Sequence, residues 1–548
     1  MEIINYSDKR FLVVEDQRPF LIMLRGLLNT IGAQSVAVAP NADTALSLCR
    51  KEKFDFIVSD LHLGPDKKNG FELVEELRSR KLVKPTTVML VISADSARQL
   101  VIGSIEREPD DFLIKPFSQI QLKTRLNRAY YKRMELAAVY QCIAKEAIDD
   151  AIDTCLDLLR GNLNYRQTCL KILSELYIKN GDSTAAIQLT QRVIKGRAIK
   201  WANVNLAKAH SLAGEHPPAQ KIANELLKAN RLNVDAYDIL AESYLKQGHT
   251  ELALENIKQA VNIAPLSMAR QFNAAQIGRA SDDYQFAKDS CLSIWQISKR
   301  SIHRDVSHLC NYIRSILDVA EHADDKKHRN RFQQEALITL QRNRNDEVFS
   351  RSSEEFDFSL YENIVHSRIN ALDGKALMAK KLLEETQIAI EQKYDVYPLK
   401  LAPDSLKVMN DIGDFEEAEK LTQLLEKSDD VDANIEFLLT SEEDQQADRK
   451  KNYKLHNKKG IEAYREGKFE TAIQSFRAAQ MITPVNIGVN LNLLQCIVKI
   501  LEMQGKPEPK LVIECREVYK LLNGMPLRES HQKKWDELLA DLQPFVET

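Results

Sequence analysis

The stretch "FDFIVSDLHLG", residues 54–64, decides how the N-terminal part of the chain is interpreted. Its apolar and β-branched residues predict a buried strand of a parallel sheet. The strand ends on a carboxylate, Asp60, with no basic residue beside it in the sequence. Because a buried carboxylate must be neutralised, we expect the compensating charge to come from another strand or from a bound cation.

Similar apolar runs occur on both sides of this stretch, and each is followed by a segment with helical periodicity. Five such units predict an α/β domain with a flavodoxin-like, doubly wound sheet of five parallel strands in the order 2-1-3-4-5. Sites in these sheets lie beyond the carboxyl ends of the strands. The predicted strands are "RFLVVE" (10–15), "SVAVA" (35–39), "FDFIVS" (54–59), "TTVMLVI" (86–92) and "DFLI" (111–114).

Polar and charged residues follow four of the five predicted strands. Glu15 ends the first predicted strand and Asp16 follows it, while Asp60, Ser93 and Lys115 follow the third, fourth and fifth. Strands one and three are neighbours in this order, so Asp16 and Asp60 converge. Carboxylates at such a short distance repel each other unless a cation binds between them or a lysine side chain lies beside them. Mg²⁺ is the hard cation that such oxygen ligands favour, and Lys115 supplies further positive charge.

These residues carry a family resemblance. Residues 1 to about 125 resemble the receiver domain of two-component response regulators, in the motifs "VVEDQ", "IVSDLHLG", "VISAD" and "LIKPF". The resemblance implies that Asp60 accepts a phosphoryl group from a histidine kinase or a phosphotransfer protein. It also implies that Glu15, Asp16, Asp60 and the backbone carbonyl of His62 hold Mg²⁺.

The same resemblance assigns roles to three further residues. Ser93 and Lys115 would contact the phosphoryl oxygens, and Phe112 occupies the aromatic switch position. Each has a plainer interpretation: a serine often caps a helix, a lysine is often solvated, and a phenylalanine is often core. Glu15 and Asp16 also have a plainer interpretation, since acidic residues stabilise the first turn of a helix without any role in metal binding. Their joint placement at the strand ends favours the phosphoryl site.

Two departures from known patterns are informative. The loop "HLGPDKKNG", residues 62–70, is longer than the usual family loop, and Asp95 is a further variable residue that flanks the site. After the first strand, "EDQRPF" contains no glycine-rich phosphate loop, which argues against nucleotide or flavin binding.

Beyond residue 118 the pattern is helical. The segment "SQIQLKTRLNRAYYKRMELAAVYQCI", residues 118–143, predicts one long helix that leads out of the receiver. We interpret its basic residues as a solvated helix face, with nucleic-acid binding as the alternative. The residues concerned are Arg125, Arg128, Lys132 and Arg133.

The helical part contains a repeat. Its clearest copies, at residues 237–265 and 457–484, resemble tetratricopeptide (TPR) repeats, and "NDIGDFEEAEKL" at 410–421 has the same glycine–alanine relation. Stacked helix pairs of this kind predict an α-solenoid whose concave surface binds peptides or partner helices. Small residues recur 33 to 35 residues apart at Ala151, Ala186, Ala219, Ala253 and Ala287.

Composition and polarity suggest how the chain is divided. At 548 residues it exceeds one hydrophobic core. Polar stretches at 321–332, 343–358 and 428–459 predict loops or a hinge. The predicted domains are the receiver (1–125), TPR-like repeats (126–300), divergent helical repeats (301–430), a charged linker (431–452) and a C-terminal TPR module (453–548).

Composition also limits the function. The net charge of −3 with mixed signs does not favour a nucleic-acid or membrane partner. No apolar run reaches the ~18 residues of a membrane span. The eight cysteines lack zinc-site spacing and are typical of reduced thiols in the cytoplasm.

We therefore expect a cytoplasmic response regulator, phosphorylated on Asp60 in a Mg²⁺-dependent reaction, that controls protein–protein interactions of its TPR repeats. It is not expected to be an enzyme beyond its own phosphoryl transfer and dephosphorylation. Alternatives are a phosphate sink or relay whose repeats only assemble the protein, nucleic-acid binding through the basic helix, an enzyme of unrecognised type, and a homodimer as the regulated state.

Overall fold

A computed structural model describes residues 4–64, 68–94, 109–195, 199–299, 301–346, 356–428, 433–503 and 508–546. The chain divides into two compact units, Met1–Asp305 and Val306–Thr548, and each is described by itself.

The first unit begins with a five-stranded parallel sheet in the order β2-β1-β3-β4-β5, which confirms the predicted topology. Side chains alternate between its two faces, so that Leu12 and Val14 join one core while Phe11 and Val13 join the other. The strands are β1 Arg10–Val14, β2 Ser35–Ala39, β3 Phe56–Asp60, β4 Val88–Ser93 and β5 Asp111–Ile114.

Helices cover both faces of the sheet. The core that contains Leu12 lies against α2 and α3, and the core that contains Phe11 lies against α1 and α4. The predicted helix between β4 and β5 lies outside the described residues. The helices are α1 Arg18–Thr30, α2 Ala42–Lys51, α3 Gly70–Ser79 and α4 Gln119–Glu135.

The prediction of one continuous helix over 118–143 is wrong. Helix α4 ends at Glu135, and α5, Ala137–Ala144, begins after Leu136. The break is stabilised because Leu136 is fully buried and the Glu135 carboxylate accepts hydrogen bonds from the backbone N–H groups of Asn164 and Tyr165.

Antiparallel helices continue the first unit as a repeat. The recurring alanines are buried between them, as in Ala253 and Ala287 with at most 1% exposure. Gly181, Gly214 and Gly248 end alternate helices with φ between +76° and +79°, a conformation that glycine adopts without strain. The helices are α6 Ile148–Arg160, α7 Arg166–Lys179, α8 Ser183–Ile194, α9 Lys200–Leu212, α10 His216–Ala229, α11 Val234–Lys246, α12 Thr250–Ile263, α13 Met268–Ala280 and α14 Tyr284–Ser298.

Helices are the only regular secondary structure in the described residues of the second unit. Its helices are α15 Val306–Glu321, α16 Lys326–Asn343, α17 Phe358–Leu372, α18 Ala376–Lys393, α19 Ala402–Ile412, α20 Phe415–Glu426, α21 Ala433–Arg465, α22 Phe469–Ile482, α23 Ile487–Met503, α24 Pro509–Asn523 and α25 Glu529–Val546.

Two predicted polar loops are helical instead. Much of 321–332 belongs to α16, which begins where the Asp325 side chain accepts a hydrogen bond from the backbone N–H of His328. The stretch predicted as a hinge at 428–459 belongs from residue 433 onward to α21. Glu442 of that helix is only 3% exposed because Lys407 and Asn410 bind its carboxylate.

No helix in the described ranges has the length and hydropathy that a bilayer span requires. All eight cysteines are free thiols.

Candidate functional site at the carboxyl ends of the strands

The parallel register brings the ends of four strands to one edge of the sheet. Val14 of β1 is paired with Ser59 of β3, and Asp60 is paired with Ile92 of β4. Ser93 is paired with Ile114 of β5, directly before Lys115. Residues that are far apart in sequence therefore meet around Asp60.

Three carboxylates form the centre of the site. One oxygen from each of Glu15, Asp16 and Asp60 lies within 4.8 Å of the others, and no other such group of acidic, histidine or cysteine side chains occurs in the described residues. Glu15 and Asp60 are buried, whereas Asp16 is exposed. An oxygen donor set with one solvent-facing member fits a hard, partly hydrated cation such as Mg²⁺.

Lys115 provides the positive charge from β5. Its Nζ lies 3.0 Å from Glu15 Oε2 and 3.2 Å from Asp60 Oδ2. The same ammonium lies 3.7 Å from the centre of the Phe20 ring, a cation–π contact that helps to hold it in place. One lysine thus serves two buried carboxylates.

The positive charge of Lys115 does not fully neutralise the carboxylates of the site. Burial raises the pKa of Asp60 above its ordinary value, although Lys115 and the backbone N–H of Leu61 act in the opposite direction. Burial likewise raises the pKa of Glu15, and repulsion from Asp60 adds to the effect. The site carries more negative charge than Lys115 neutralises, which favours a divalent cation.

Ser93 is fully buried at the end of β4. Its carbonyl oxygen accepts a hydrogen bond of 2.8 Å from the backbone N–H of Lys115. The neighbouring carbonyl of Ile92 accepts one of 2.7 Å from Leu61, the residue after Asp60. A movement of the end of β4 would therefore displace the backbone beside both Asp60 and Lys115.

Phe112 lies in β5 on the face of the sheet that packs against α3. Its partly buried ring stacks on that of Phe71, with 6.4 Å between centroids and 27° between planes. His62 is exposed in the loop after β3. Asp95 lies outside the described residues.

Sequence reasoning missed the role of Gly70, the first residue of α3. Its backbone N–H donates a 2.9 Å hydrogen bond to the carbonyl of Leu61, which brings the start of the helix against the end of β3. The signal that was available is a glycine directly before the amphipathic run "FELVEELRS".

Sequence reasoning also missed the buried carboxylate of Asp110, directly before β5. It lies 2.6 Å from Arg133 Nε and 3.2 Å from Arg78 Nη2, with Lys132 Nζ at 3.7 Å. Burial alone would raise the pKa of Asp110, but the three cations hold it below its ordinary value. The prediction of a solvated basic face is therefore wrong for Arg133, which is only 7% exposed.

Comparison with known families agrees with this geometry. Residues 11–127 match the response regulator receiver domain, and residues 234–265 match a tetratricopeptide repeat. The N-terminal domain is a receiver domain of the response regulator class, and it is joined to a helical part that contains a tetratricopeptide repeat.

Individual relatives resemble the receiver part. The chain is 27% identical over 130 residues to the chemotaxis protein CheY-3 of Vibrio cholerae. The aligned region covers 24% of this chain and 98% of that relative. It is 31% identical over 153 residues to the alginate biosynthesis transcriptional regulatory protein AlgB of Pseudomonas aeruginosa. That aligned region covers 28% of this chain and 31% of the relative. A solved structure of V. cholerae CheY4 is 26% identical, covers 22% of this chain and 98% of its own, and has a TM-score of 0.21.

Proposed function

We propose that the protein is a two-component response regulator in which phosphorylation of Asp60 controls the protein–protein interactions of its repeats. The observation that carries the proposal is the placement of Lys115 against both Glu15 and Asp60, beside a third carboxylate at the same edge of a receiver sheet. A histidine kinase or a phosphotransfer protein would be the phosphoryl donor.

In the proposed reaction the Asp60 carboxylate attacks the phosphorus of a phosphohistidine. A phosphorus–oxygen bond forms as the phosphorus–nitrogen bond breaks, and the imidazole leaves. Glu15, Asp16, Asp60 and the backbone carbonyl of His62 would hold Mg²⁺, which would neutralise charge on the phosphoryl oxygens. Lys115 is placed to bind one of these oxygens, and Ser93 would donate to another.

The switch follows from the added charge. A phosphoryl group contributes about −1.5 to −2 charge at pH 7. Movement of Ser93 toward it would open space into which the Phe112 ring rotates. Reversal of a two-state population from 1:99 to 99:1 needs about 5.5 kcal/mol of differential stabilisation, to which contacts from Lys115, Ser93 and the metal contribute.

The output is proposed to be protein binding. Solenoids of helical repeats present long concave surfaces suited to peptides or partner helices. We propose a cytoplasmic location, and no catalysis beyond phosphoryl transfer and dephosphorylation at Asp60. Pairing of two chains is an alternative readout of the same switch.

Nucleic-acid binding through α4 has less support. Arg125 Nη1 lies 3.0 Å from Asp111, and Arg133 and Lys132 contact Asp110, so that these cations already face carboxylates of the receiver. A phosphate sink or relay predicts the same chemistry at Asp60 without a phosphorylation-dependent partner.

Incubation with acetyl phosphate and Mg²⁺ tests the first step. Intact-mass measurement should show one added phosphoryl group in wild type and none in Asp60→Ala, while the control Asp43→Ala, an exposed aspartate of α2, behaves as wild type. An equal mass gain in Asp60→Ala would contradict the proposed acceptor.

Comparative pull-downs with and without beryllofluoride, an acyl-phosphate mimic, test the output. A partner captured to the same extent from wild type and Asp60→Ala in both conditions would rule out the switch.

A further inference from the structure

A groove of about 1140 Å³ lies within the first unit, between the receiver and the first repeat helices. We call it the junction groove. On the receiver side it is lined by the end of α3, the segment before β4 and the start of β5, including Phe112. On the other side it is lined by α5 and α7.

The repeat side of the junction groove has an apolar floor. Ile172 and Leu176 are spaced by one helical turn on α7 and share a face. Ile143 near the end of α5 is 38% exposed, which is high for a large aliphatic side chain. Ile143 and the partly buried Ile172 therefore offer apolar surface to an occupant, whereas Leu176 is only 7% exposed and closes the base of the groove.

The rim of the groove is basic. Eight lysine or arginine and four aspartate or glutamate side chains line the cavity. Part of the positive charge is already compensated, as where Lys171 Nζ lies 3.4 Å from Glu175. Lys145 and Lys179 are exposed and form no ion pair with the described residues. The uncompensated charge on the rim is positive.

We propose that the junction groove docks an acidic amphipathic helix of a partner protein. Its apolar face would lie on Ile143 and Ile172, and its carboxylates would bind Lys145 and Lys179. An apolar floor with a charged rim is the arrangement that takes amphipathic helices.

Occupancy of the groove is coupled to Asp60. Phe112 and Asp110 line the groove, and both lie on the segment that leads into Lys115. Rotation of Phe112 toward Ser93 would withdraw its ring from the groove and make room for the helix, so phosphorylation tightens docking. By reciprocity, docking also favours the phosphorylated state. This coupling rests on the proposed function, whereas docking itself does not.

Fluorescence anisotropy of the full chain with a labelled helical peptide tests the docking. The test peptide has leucine at i, i+3, i+4 and i+7 and glutamate on its other face. One comparison peptide has the same composition in permuted order, and another has lysine in place of glutamate. The amphipathic acidic peptide should bind more tightly than either.

Variants of the groove provide the second measurement. Lys145→Glu combined with Lys179→Glu should weaken binding about tenfold, and Ile143→Ser should do the same, because each removes a contact of the occupant. Matched controls are Lys221→Glu with Lys228→Glu, two exposed lysines of α10, and Ile338→Ser, a 46% exposed residue of α16. The control variants should bind as wild type does.

Three outcomes would overturn docking: equal binding of the acidic and permuted peptides, unchanged binding by the groove variants, or displacement of the peptide by inorganic phosphate alone. The coupling is tested with beryllofluoride, which should tighten peptide binding several-fold in wild type and not in Asp60→Ala. An unchanged affinity in wild type would overturn the coupling. Acetyl-phosphate labelling of Asp60 reports separately on the proposed function.

Discussion

A β-carbon added to Gly70 would lie 2.3 Å from the carbonyl oxygen of Asp60, well inside van der Waals contact. The first residue of α3 therefore packs against the backbone of the central carboxylate with no room for a side chain. The consequence is that the position of Asp60 depends on a glycine ten residues further along the chain.

Gly70→Ala should lower the free energy of unfolding of the receiver by about 1–3 kcal/mol, because backbone must move to relieve the clash. Acetyl-phosphate labelling of Asp60 should also slow, because the carboxylate is displaced from Lys115. Urea unfolding and labelling kinetics measure the two effects.

The control for Gly70→Ala is Gly26→Ala in α1, where an added β-carbon meets no described atom within 4 Å. Alanine there should leave stability unchanged or raise it by up to about 1 kcal/mol, since glycine is a poor helix former. Equal urea midpoints for Gly70→Ala and wild type would contradict the close approach.

Mg²⁺ should raise the thermal midpoint of the wild-type chain, since the proposed site formed by Glu15, Asp16 and Asp60 would bind the ion only when the chain is folded. At a concentration about 100 times Kd the gain is about 2.7 kcal/mol. Asp16→Asn should remove most of this gain without unfolding the chain, because Asp16 is exposed. A Mg²⁺-induced shift of equal size in Asp16→Asn and in the control Asp43→Asn would contradict the site.

Asp110→Asn should destabilise the first unit by about 3–5 kcal/mol, because it leaves the buried guanidinium of Arg133 without its charged partner. The matched control is Glu52→Gln, whose pair with Arg10 has side chains 46% and 48% exposed. That change should cost less than about 1 kcal/mol. Chemical denaturation measures the free energy of unfolding of both variants. Similar losses would contradict the prediction that the buried Asp110–Arg133 pair stabilises the fold more than the exposed Glu52–Arg10 pair.

Asp411 at the end of α19 should make the second unit pH-sensitive. One of its carboxylate oxygens is buried without a hydrogen bond. Burial raises its pKa to about 7, with Lys407 and Arg368 opposing and Glu321 and Glu442 adding to the rise. The folded state then holds the proton more tightly than the unfolded state, so the free energy of unfolding falls as pH rises from about 4 to about 7.

Asp411→Asn removes this titration. Its free energy of unfolding, measured by urea denaturation, should exceed that of wild type at pH 8 by an amount on the order of 1–3 kcal/mol, and the difference should shrink toward pH 4. Asp444→Asn, an exposed carboxyl on α21, is the control and should show no such trend. A difference between Asp411→Asn and wild type that is independent of pH would disprove the assignment.

Gly460→Ala in α21 should weaken the last clear repeat, because the added β-carbon would lie 2.6 Å from Cε1 of Phe476 in α22. The expected loss is about 1–3 kcal/mol, and Phe476→Leu should reduce the additional cost of the alanine because a smaller side chain makes room. Gly467→Ala is the comparison: its φ of +75° makes alanine strained although the space is open, so Phe476→Leu should not rescue it. A thermal-denaturation double-mutant cycle separates the two causes.

Much of the receiver was predictable from the chain. Alternation and apolar runs predicted the strands, and the parallel order then predicted that Asp16 and Asp60 converge, which they do. Lys115 was predictable for the same reason, since the residue after each strand lies at the same edge of a parallel sheet. The recurring alanines marked the repeat helices because only small residues let helices approach closely.

The predictions of polar loops at 321–332 and 428–459 and of a solvated Arg133 were wrong for the same reason. Each assumed that a charged side chain has water as its partner. The sequence by itself determined the strands, the residues that end them and the period of the repeat, because periodicity and residue size are local properties, and the known order of this fold class supplied the arrangement of the sheet. Only the tertiary structure decided which charges are solvated. Arg133 finds Asp110 at a separation of 23 residues, and Lys407 finds Glu442 at 35, so segments with a loop-like composition fold as helices. A charged side chain favours a loop only while water is its best partner, and the choice of partner is made by residues distant in the chain.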